Sequence, residues 1–358
     1  MTKTIAVYGA TGKTGRLISE LLTSRGAKLV IGGRSFEKVE ELARELSEGG
    51  RRVPGVRIAD ARVEAEVELF LEGVDVLVNC AGPFGEVGEV MLTSAMKLGV
   101  HYLDISGEQS HMKWALDHFD TFARERELVL FPGCAFEFAL GDLAAELAWS
   151  QAASRIVIAY VVKEMTMSEG TKKSLLRSFS QEGVTFIDGQ LEEKKIGYRL
   201  FDVPLPGGET QKGAWIPGGE ALTVPRRGGV SRVETCIVAG EGLAYFVGTF
   251  SAVIPPMLRA LRPLADRIVE RRGADVLEPD PFLIIAFDPK RGQTLAMLRG
   301  EDIYGTTARI AMETALRISQ NTHGKSGFVG AADLFEAREF LSAVGVEILT
   351  PGERKPNL

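Results

Sequence analysis

The sequence has 358 residues, of which 45% are hydrophobic and 25% are charged, and its formal net charge is −6 at pH 7. A chain of this length is expected to form two lobes, and its composition is typical of a globular protein. The small net charge argues against a nucleic-acid or anionic-membrane partner and favours a small-molecule partner. The three cysteines show no CxxC or metal-type spacing, and we expect the chain to enter its first strand directly, without a signal peptide. These features predict a cytoplasmic protein without a metal site.

The first 133 residues predict six strands that alternate with helices. Each strand segment is short and almost continuously apolar, and the clearest helical spacings cover 13–24 and 36–46. Since such strands are buried on both faces, the pattern predicts an α/β fold with a Rossmann-type, doubly wound parallel sheet over residues 1–133. The strand segments are 4–9, 28–33, 55–60, 74–82, 101–106 and 128–133.

The pattern changes after Trp149. A strand at 155–164, a helix at 170–182, short strands with Gly/Pro-rich turns over 184–240 and two strands within 282–300 follow. They predict an inserted α+β substrate or dimerisation domain over 134–300. Helical spacing returns at 301–318 and near 331–344, and we expect the C-terminal segment 301–358 to return to the Rossmann domain.

One apolar stretch, "LAYFVGTFSAVIPPML" at 243–258, raises the question of a membrane. It is shorter than the ~20 residues that a spanning helix needs, and it contains Gly248, Pro255 and Pro256. The stretch predicts a buried strand that leads into a helix, with a pocket wall or a subunit contact as the alternative. We expect no membrane span, leave peripheral lipid contact open and expect a homodimer.

A glycine-rich turn lies between the first strand and the first helix, in the stretch "VYGATGKTGR". Gly9 permits the tight turn, Gly12 leaves room for a pyrophosphate and Gly15 lets the helix pack closely on the strand. The helix N-terminus adds unpaired N–H groups and the positive end of its dipole. A glycine triplet at this place predicts a dinucleotide site, and a tight turn without a ligand is the alternative.

The end of the second strand indicates which dinucleotide is bound. NAD-binding domains place a carboxylate about 20 residues beyond the glycines to bind the ribose hydroxyl. This sequence has "IGGRS" there, so Arg34 and Ser35 stand where that carboxylate is missing. An arginine neutralises a 2′-phosphate and stacks on adenine, which favours NADP over NAD; a solvated surface arginine is the alternative.

The ends of the third and fourth strands complete the expected cofactor site. Asp60 is placed to reach the adenine, and the loop at 81–83 would pass beneath the ribose and the nicotinamide. We therefore expect NADP to contact Gly9, Ala10, Thr11, Gly12, Lys13, Thr14, Gly15, Arg34, Ser35, Asp60, Ala61, Ala81, Gly82 and Pro83.

Several motifs resemble one known family. They are "GATGKTG", "NCAGPFGEVGEVM", "GVHYLDISGE" and "FPGCAFEFALGDLAAELA" in the first 150 residues, and later "SEGTKKSLL" and "GEDIYGTTARIAMETAL". In these motifs the sequence is similar to the saccharopine dehydrogenase-like oxidoreductases, including the branch named trans-acting enoyl reductases. The resemblance implies an NADP-binding first domain, an inserted substrate lobe and hydride transfer in the cleft. It does not imply saccharopine as the substrate, because "FPGCAFEFALGD" replaces the "NEIGLDPGIDH" motif of true saccharopine reductases.

The fifth strand ends in "YLDISGE", which carries the best candidates for acid–base catalysis. Strand C-termini face the cleft, so Asp104 and Glu108 are predicted to lie near the nicotinamide, where burial would raise a carboxyl pKa. The structural alternatives are that Asp104 caps the next helix and that Glu108 lies in its first turn. Substrate contacts are expected from Ser106, Cys134, Phe136 and Thr171.

Other side chains are weaker candidates. Cys134, also typical of a small buried hydrophobe, and Glu137 follow the sixth strand. His111 titrates near neutrality, whereas His101 opens a strand at the edge away from the cleft. "SEGTKKSLLRSF" places cations near a helix start, where they would bind an anionic group or remain solvated; they are Lys172, Lys173 and Arg177.

Together these features predict an NADP-dependent oxidoreductase that reduces a C=N, C=O or activated C=C bond of a small or lipid-like molecule. The apolar stretch at 243–258 favours a hydrophobic substrate. The chemistry of short-chain dehydrogenases is disfavoured, because Tyr160 has Glu164 rather than a lysine four residues later. A non-catalytic NADP-sensing or assembly protein on the same fold is the alternative from another class.

Overall fold

Seven parallel strands form the first sheet of the computed structural model, which describes residues 3–149, 154–162, 182–238, 280–322 and 324–350. All six predicted N-terminal strands are present, and the predicted α/β, Rossmann-type fold class is confirmed. The elements are β1 (Thr4–Tyr8), α1 (Lys13–Ser24), β2 (Lys28–Gly33), α2 (Phe36–Leu46), β3 (Gly55–Ile58), α3 (Glu64–Leu71), β4 (Val76–Asn79), α4 (Phe84–Leu98), β5 (His101–Asp104), α5 (Gln109–Glu125), β6 (Val129–Phe131) and α6 (Phe136–Trp149).

The order of these strands creates a crevice at one edge of the sheet. From one side the strands run β6, β5, β4, β1, β2 and β3, all parallel. The chain therefore moves outward in opposite directions on the two sides of the β1–β4 pair. In such sheets the loops at the carboxyl ends of the strands diverge there, and ligands bind in the gap.

A second, mixed sheet follows, with nine strands among the described residues. Its central strands β12 and β7 are parallel, and β13 and β14 form an antiparallel hairpin beside β7. A 3₁₀ turn over Val224–Arg227 follows the short helix α7. The elements are β7 (Arg155–Val162), β8 (Gly183–Ile187), β9 (Gln190–Lys194), β10 (Leu200–Pro204), β11 (Thr210–Trp215), α7 (Glu220–Thr223), β12 (Arg232–Val238), β13 (Phe282–Asp288) and β14 (Gln293–Gly300).

The C-terminal segment contacts both sheets. Helix α8 (Ile303–Ser319) packs on α1, and β15 (Gly327–Phe328) pairs with β6 as the seventh strand of the first sheet. The last strand, β16 (Glu347–Leu349), instead pairs with β14 in the second sheet, which the sequence pattern did not indicate.

The helix predicted near 331–344 is two short helices, α9 (Ala331–Leu334) and α10 (Ala337–Ala343). Phe335 and Glu336 between them have extended backbone. The Glu336 carboxylate accepts hydrogen bonds from Arg338 N and Glu339 N, so it caps a new helix where the sequence spacing predicted a continuous one.

Two predicted segments lie outside the described residues. They are the helix at 170–182, apart from its last residue, and the apolar stretch at 243–258. Within the described part of the chain, no helix is both long and apolar enough to cross a membrane.

Helix α6 contacts both the second sheet and the C-terminal segment. Most of its residues are buried, and it packs against β7, β13 and β14 and against α8 and α9. A helix that is apolar all round is typical of a protein interior, since it has no face to present to water. The sequence "FEFALGDLAAELAW" suits this position: of its three charged residues, Glu137 and Glu146 are partly exposed, and Asp142 is buried.

Asp142 is the centre of a buried polar cluster that joins three parts of the chain. Its carboxylate accepts hydrogen bonds from Thr223 Oγ1 at 2.7 Å, from Ala332 N at 2.9 Å and from Arg227 Nη1 at 3.0 Å. The Arg227 guanidinium also lies 3.2 Å from Glu146 Oε2. The cluster thus connects α6 with the turn after α7 and with the C-terminal segment.

We expect the substitution Arg227→Met to destabilise the protein by about 3–5 kcal/mol, because it leaves buried carboxylates without their cation. The matched control is Arg16→Met, which removes an exposed pair with Glu45 and should cost at most about 1 kcal/mol. Urea unfolding of the two variants tests this difference. Equal losses of stability would show that the buried cluster contributes no more than a surface ion pair.

Candidate functional site

The glycine turn after β1 is shaped by close packing at two of its three glycines. Gly9 has a φ of +75°, and a Cβ at this position would lie 2.9 Å from Ala81 N, in the loop after β4. A Cβ at Gly15 would overlap the Gly9 carbonyl oxygen. These glycines let the turn approach both the neighbouring loop and the start of α1.

Gly12 faces open space instead. It is exposed, and a Cβ there would meet only the Gly9 carbonyl oxygen, at 3.3 Å. Among the described contacts, no side chain caps α1, and the first turn of this helix contains no acidic residue. Free N–H groups and the helix dipole at such a position attract a phosphate, so the turn fits a dinucleotide pyrophosphate.

Arg34 and Ser35 follow β2 at the same edge of the sheet. Arg34 is exposed. Its positive charge acts to lower the pKa of Tyr8 and of Asp60, so its guanidinium lies near the loop after β3. Ser35 Oγ donates to Glu37 Oε2 at 3.0 Å. An exposed arginine at this place can reach a ribose 2′-phosphate.

The loop after β3 is held by two contacts that the sequence analysis missed. The Tyr8 hydroxyl donates to Ala59 O at 2.8 Å and accepts from Ala61 N at 3.0 Å. Arg62 Nε donates to Asp60 Oδ1 at 2.9 Å, and hydrogen bonds from Arg62 hold the pKa of the Asp60 carboxyl well below its usual range. Asp60 is therefore a paired carboxylate beside the predicted adenine position. A tyrosine within an otherwise aliphatic β1 was the available signal for the first contact.

The loop after β4 runs along the crevice. Ala81 N donates to Asn79 Oδ1 at 3.1 Å, and Cys80 N donates to Tyr8 O at 2.8 Å. Ala81 and Pro83 are partly exposed, and Gly82 is exposed. These contacts fix the loop beside the glycine turn, where the predicted cofactor site requires it.

Asp104 is completely buried at the end of β5. Its Oδ1 accepts hydrogen bonds from Ser106 N at 2.9 Å and from Gly133 N at 2.8 Å, and its Oδ2 lies 2.9 Å from His111 Nε2. The carboxylate thus connects the loop after β5 with the loop after β6. These contacts explain a structural role for Asp104, and its predicted catalytic role stays a prediction.

Glu108 is the residue before α5, but its carboxylate caps a different helix. It accepts hydrogen bonds from Phe84 N at 3.0 Å and from Gly85 N at 3.1 Å, at the start of α4. Its own N–H donates to Ser106 Oγ at 2.9 Å. A carboxylate at a helix N-terminus is stabilised by the dipole, so the geometry supports a capping role, and the catalytic role stays a prediction.

His111 forms a buried pair with Asp104. Burial of the ring acts to lower its pKa, but the Asp104 carboxylate and its hydrogen bond more than offset this, so the pKa of His111 is raised. The ring is enclosed, with Phe84 on one side and Trp114 on the other. His111 therefore helps to hold the Asp104 carboxylate, which connects the loops after β5 and β6.

The predicted substrate contacts that the structure describes are all buried. Ser106 is buried; Cys134 is fully buried, and burial raises the pKa of its thiol to about 12, as expected of a small buried hydrophobe. Phe136 is 6% exposed and packs against Tyr160 and Phe282. Thr171 and the predicted cations at 172, 173 and 177 lie outside the described residues.

Glu137, in the first turn of α6, differs from the other carboxylates at this edge. It is partly exposed, and its Oε1 lies 3.0 Å from the place where a Cβ on Gly107 would be. Burial raises the pKa of Glu137 to about 7. A carboxyl group that titrates near neutrality beside a cofactor crevice is suited to acid–base catalysis.

A buried pair lies behind Glu137, against the same helix. The Tyr160 hydroxyl donates to Glu220 Oε1, and a Cβ on Gly141 would overlap both groups. Burial raises the pKa of Glu220 to about 8. Because 60 residues separate the pair in the chain, no sequence spacing predicted it.

No group of three or more potential metal-ligating side chains occurs among the described residues.

The glycine turn, the switch in strand order and the parallel sheet define a dinucleotide-binding domain of the doubly wound class. Within it, residues 5–126 match the family model described as the saccharopine dehydrogenase NADP binding domain. The first domain is thus similar to the NADP-binding domain of saccharopine dehydrogenases, which confirms both the resemblance and NADP as the cofactor.

Curated relatives resemble part of the chain. It is 28% identical to a lipid droplet localized protein of Caenorhabditis elegans, over 39% of this chain and 34% of the relative. It is 26% identical to trans-acting enoyl reductases of Mycobacterium bovis and Mycobacterium tuberculosis, over 51% of this chain and 41% of those relatives. The alignments thus cover less than half of the length of these relatives.

We expect Gly12→Val to abolish NADPH binding without unfolding the protein, because the added methyl groups would occupy the space of the pyrophosphate. Gly15→Ala is the contrasting variant and should lower the melting temperature, since its Cβ would overlap the Gly9 carbonyl oxygen. Calorimetric titration and thermal unfolding measure the two effects. Normal NADPH affinity in folded Gly12→Val would place the phosphates elsewhere.

Glu220 should make the stability depend on pH. The pKa of its carboxyl is about 8 in the folded protein and close to 4.5 when unfolded, so the folded state retains a proton that the unfolded chain loses. The free energy of unfolding should therefore fall as pH rises from about 4.5 to about 8, by at most about 1.4 kcal/mol per pH unit. We expect Glu220→Gln to show a smaller fall, with the remainder coming from Glu137, whose pKa is also raised, whereas exposed Glu125→Gln should keep the full fall. Parallel curves for wild type and Glu220→Gln, measured by urea unfolding, would contradict this assignment.

Proposed function

We propose that this protein is an NADP-dependent reductase that acts on a C=N, C=O or activated C=C bond of a small or lipid-like substrate. The observation that carries the proposal is the shared edge of the first sheet. The open phosphate turn at Gly12 and the partly exposed carboxyl of Glu137 both lie at the carboxyl ends of its strands. A hydride donor and a proton donor would thus face one crevice.

The relatives support the reaction class and the nature of the substrate. Trans-acting enoyl reductases are reductases by name, and another relative is named for lipid droplets. A lipid-like substrate with an activated C=C bond is consistent with both names. The proposed chemistry needs NADPH in the crevice, where it would supply the hydride.

The cofactor would be held by the predicted residues at the ends of β1 to β4. Gly12 and the start of α1 would bind the pyrophosphate, and Arg34 would neutralise the 2′-phosphate. Ala81, Gly82 and Pro83 would pass beneath the ribose on the nicotinamide side. In this arrangement Asp104 and Glu108 contribute by holding the loops after β5 and β6 and the start of α4.

We also propose that the second sheet belongs to a substrate domain inserted into the nucleotide-binding chain. Helix α8 packs on α1, and β15 extends the first sheet. These contacts support an insertion with two connections to the first domain. Movement of the two domains about these connections would admit the substrate and then exclude water.

Arg34→Asp should weaken NADPH binding by about 1.5–3 kcal/mol and shift preference toward NADH, because it removes a charge-assisted contact with the 2′-phosphate. Arg52→Asp makes the same change of charge at an exposed arginine before β3, at the opposite edge of the sheet, and should leave binding unchanged. Calorimetry with NADPH and NADH measures both. Equal NADPH affinity in wild type and Arg34→Asp would contradict the role of Arg34.

The reaction itself is tested with a panel of ketones, imines and enones that includes acyl chains of increasing length. We expect substrate-dependent oxidation of NADPH, followed by its absorbance, and product formation by mass spectrometry. Tight NADPH binding without oxidation across the panel would favour an NADP-sensing protein on the same fold.

A further inference from the structure

Two carboxyl groups lie along the same side of α6, and they differ in their exposure. Glu220 is 0% exposed and is held between the Tyr160 hydroxyl and Thr235, 3.4 Å from the Thr235 Oγ1. Glu137 is partly exposed, one helical turn before Gly141, against which the buried pair packs. Burial thus separates Glu220 from solvent, whereas Glu137 is partly exposed.

The position of Glu137 places it at the loops that follow β4, β5 and β6. Its Oε1 packs against Gly107, whose neighbour Glu108 caps α4 immediately after Pro83. The carboxyl group therefore lies at the end of the crevice opposite Arg34. In a doubly wound domain this is the nicotinamide end, since Arg34 stands at the adenosine end.

The hydrogen bonding of Glu137 also differs from that of its neighbours. Asp104 and Glu108 each accept at least two backbone hydrogen bonds. For Glu137, the described part of the chain supplies one interaction of this kind, with its own backbone N–H.

We propose that Glu137 is the catalytic residue that gives a proton to the substrate. The assignment rests on the proposed reductase function. For a carbonyl substrate, a hydride from NADPH adds two electrons to the carbon while the O–H bond of Glu137 breaks and a new O–H bond forms on the substrate oxygen. The products are an alcohol, NADP⁺ and the Glu137 carboxylate, which regains its proton from water.

The raised pKa of Glu137 suits this step. Burial raises it to about 7, so a large fraction of the carboxyl groups carries a proton at neutral pH. After the reaction, the nicotinamide ring is positively charged and the nearby carboxylate is negatively charged, and their attraction stabilises the product state. The same attraction can be measured without any substrate.

The experiment compares the dissociation constants of NADP⁺ and NADPH between pH 6 and 8.5 by calorimetry. If Glu137 lies beside the nicotinamide, the oxidised ring lowers its pKa, and NADP⁺ should bind increasingly well relative to NADPH as pH rises. The ratio of the two constants changes by about tenfold for each unit by which the pKa differs between the two complexes. Titration of the 2′-phosphate, which both forms carry, largely cancels in this ratio.

Glu137→Gln should make the ratio independent of pH. Glu220→Gln is the matched control, because it removes the other carboxyl group that titrates near neutrality, and it should keep the wild-type dependence. A ratio without pH dependence in wild type, or dependence that survives in Glu137→Gln, would overturn the assignment of Glu137. Loss of the dependence in Glu220→Gln alone would assign the proton to Glu220 instead. Failure of wild type to bind either dinucleotide would contradict the proposed function itself.

Discussion

The arrangement of the candidate site depends on the hydrogen bonds of the Asp104 carboxylate. This buried group accepts from Ser106 N and Gly133 N and pairs with His111, so it fixes the loop after β5 relative to the loop after β6. Glu108 and Glu137 follow those two loops. Their positions relative to the first sheet are therefore set by a carboxylate that has no contact with the crevice.

The buried and partly buried carboxyl groups differ in the hydrogen-bond partners and cations that surround them. Burying an ionised carboxylate is costly unless hydrogen bonds or a cation replace its water. Asp104, Glu108 and Asp142 have such partners, and these groups join separate segments of the chain. For Glu137 and Glu220 the effect of burial outweighs the hydrogen bonds that the described residues supply, and it raises the pKa of both carboxyl groups.

The sequence pattern predicted the first sheet well, because the position of each strand is decided locally by a short apolar run between helices. It also predicted the carboxyl-edge location of Asp104 and Glu108, but not their partners, which come from the starts of other elements. The Tyr160–Glu220 pair was not predictable, since its two residues lie on different elements and meet only through packing. Glu137 was a weaker candidate, because its distinguishing feature is the environment that surrounds it.

Helix α8 contacts both helices that the proposed mechanism uses. At its start, the centroid of the Tyr304 ring lies 4.1 Å from Lys13 Nζ, in the first turn of α1, the helix proposed to bind the pyrophosphate. One turn further on, Thr307 Oγ1 accepts a hydrogen bond of 3.2 Å from Phe136 N, the residue before Glu137. The C-terminal segment therefore holds the helix that would bind the pyrophosphate and the helix that carries the proposed proton donor in one arrangement. Because a proton donor acts only within hydrogen-bond reach of the reacting atom, this shared support gives the segment a direct part in the proposed chemistry.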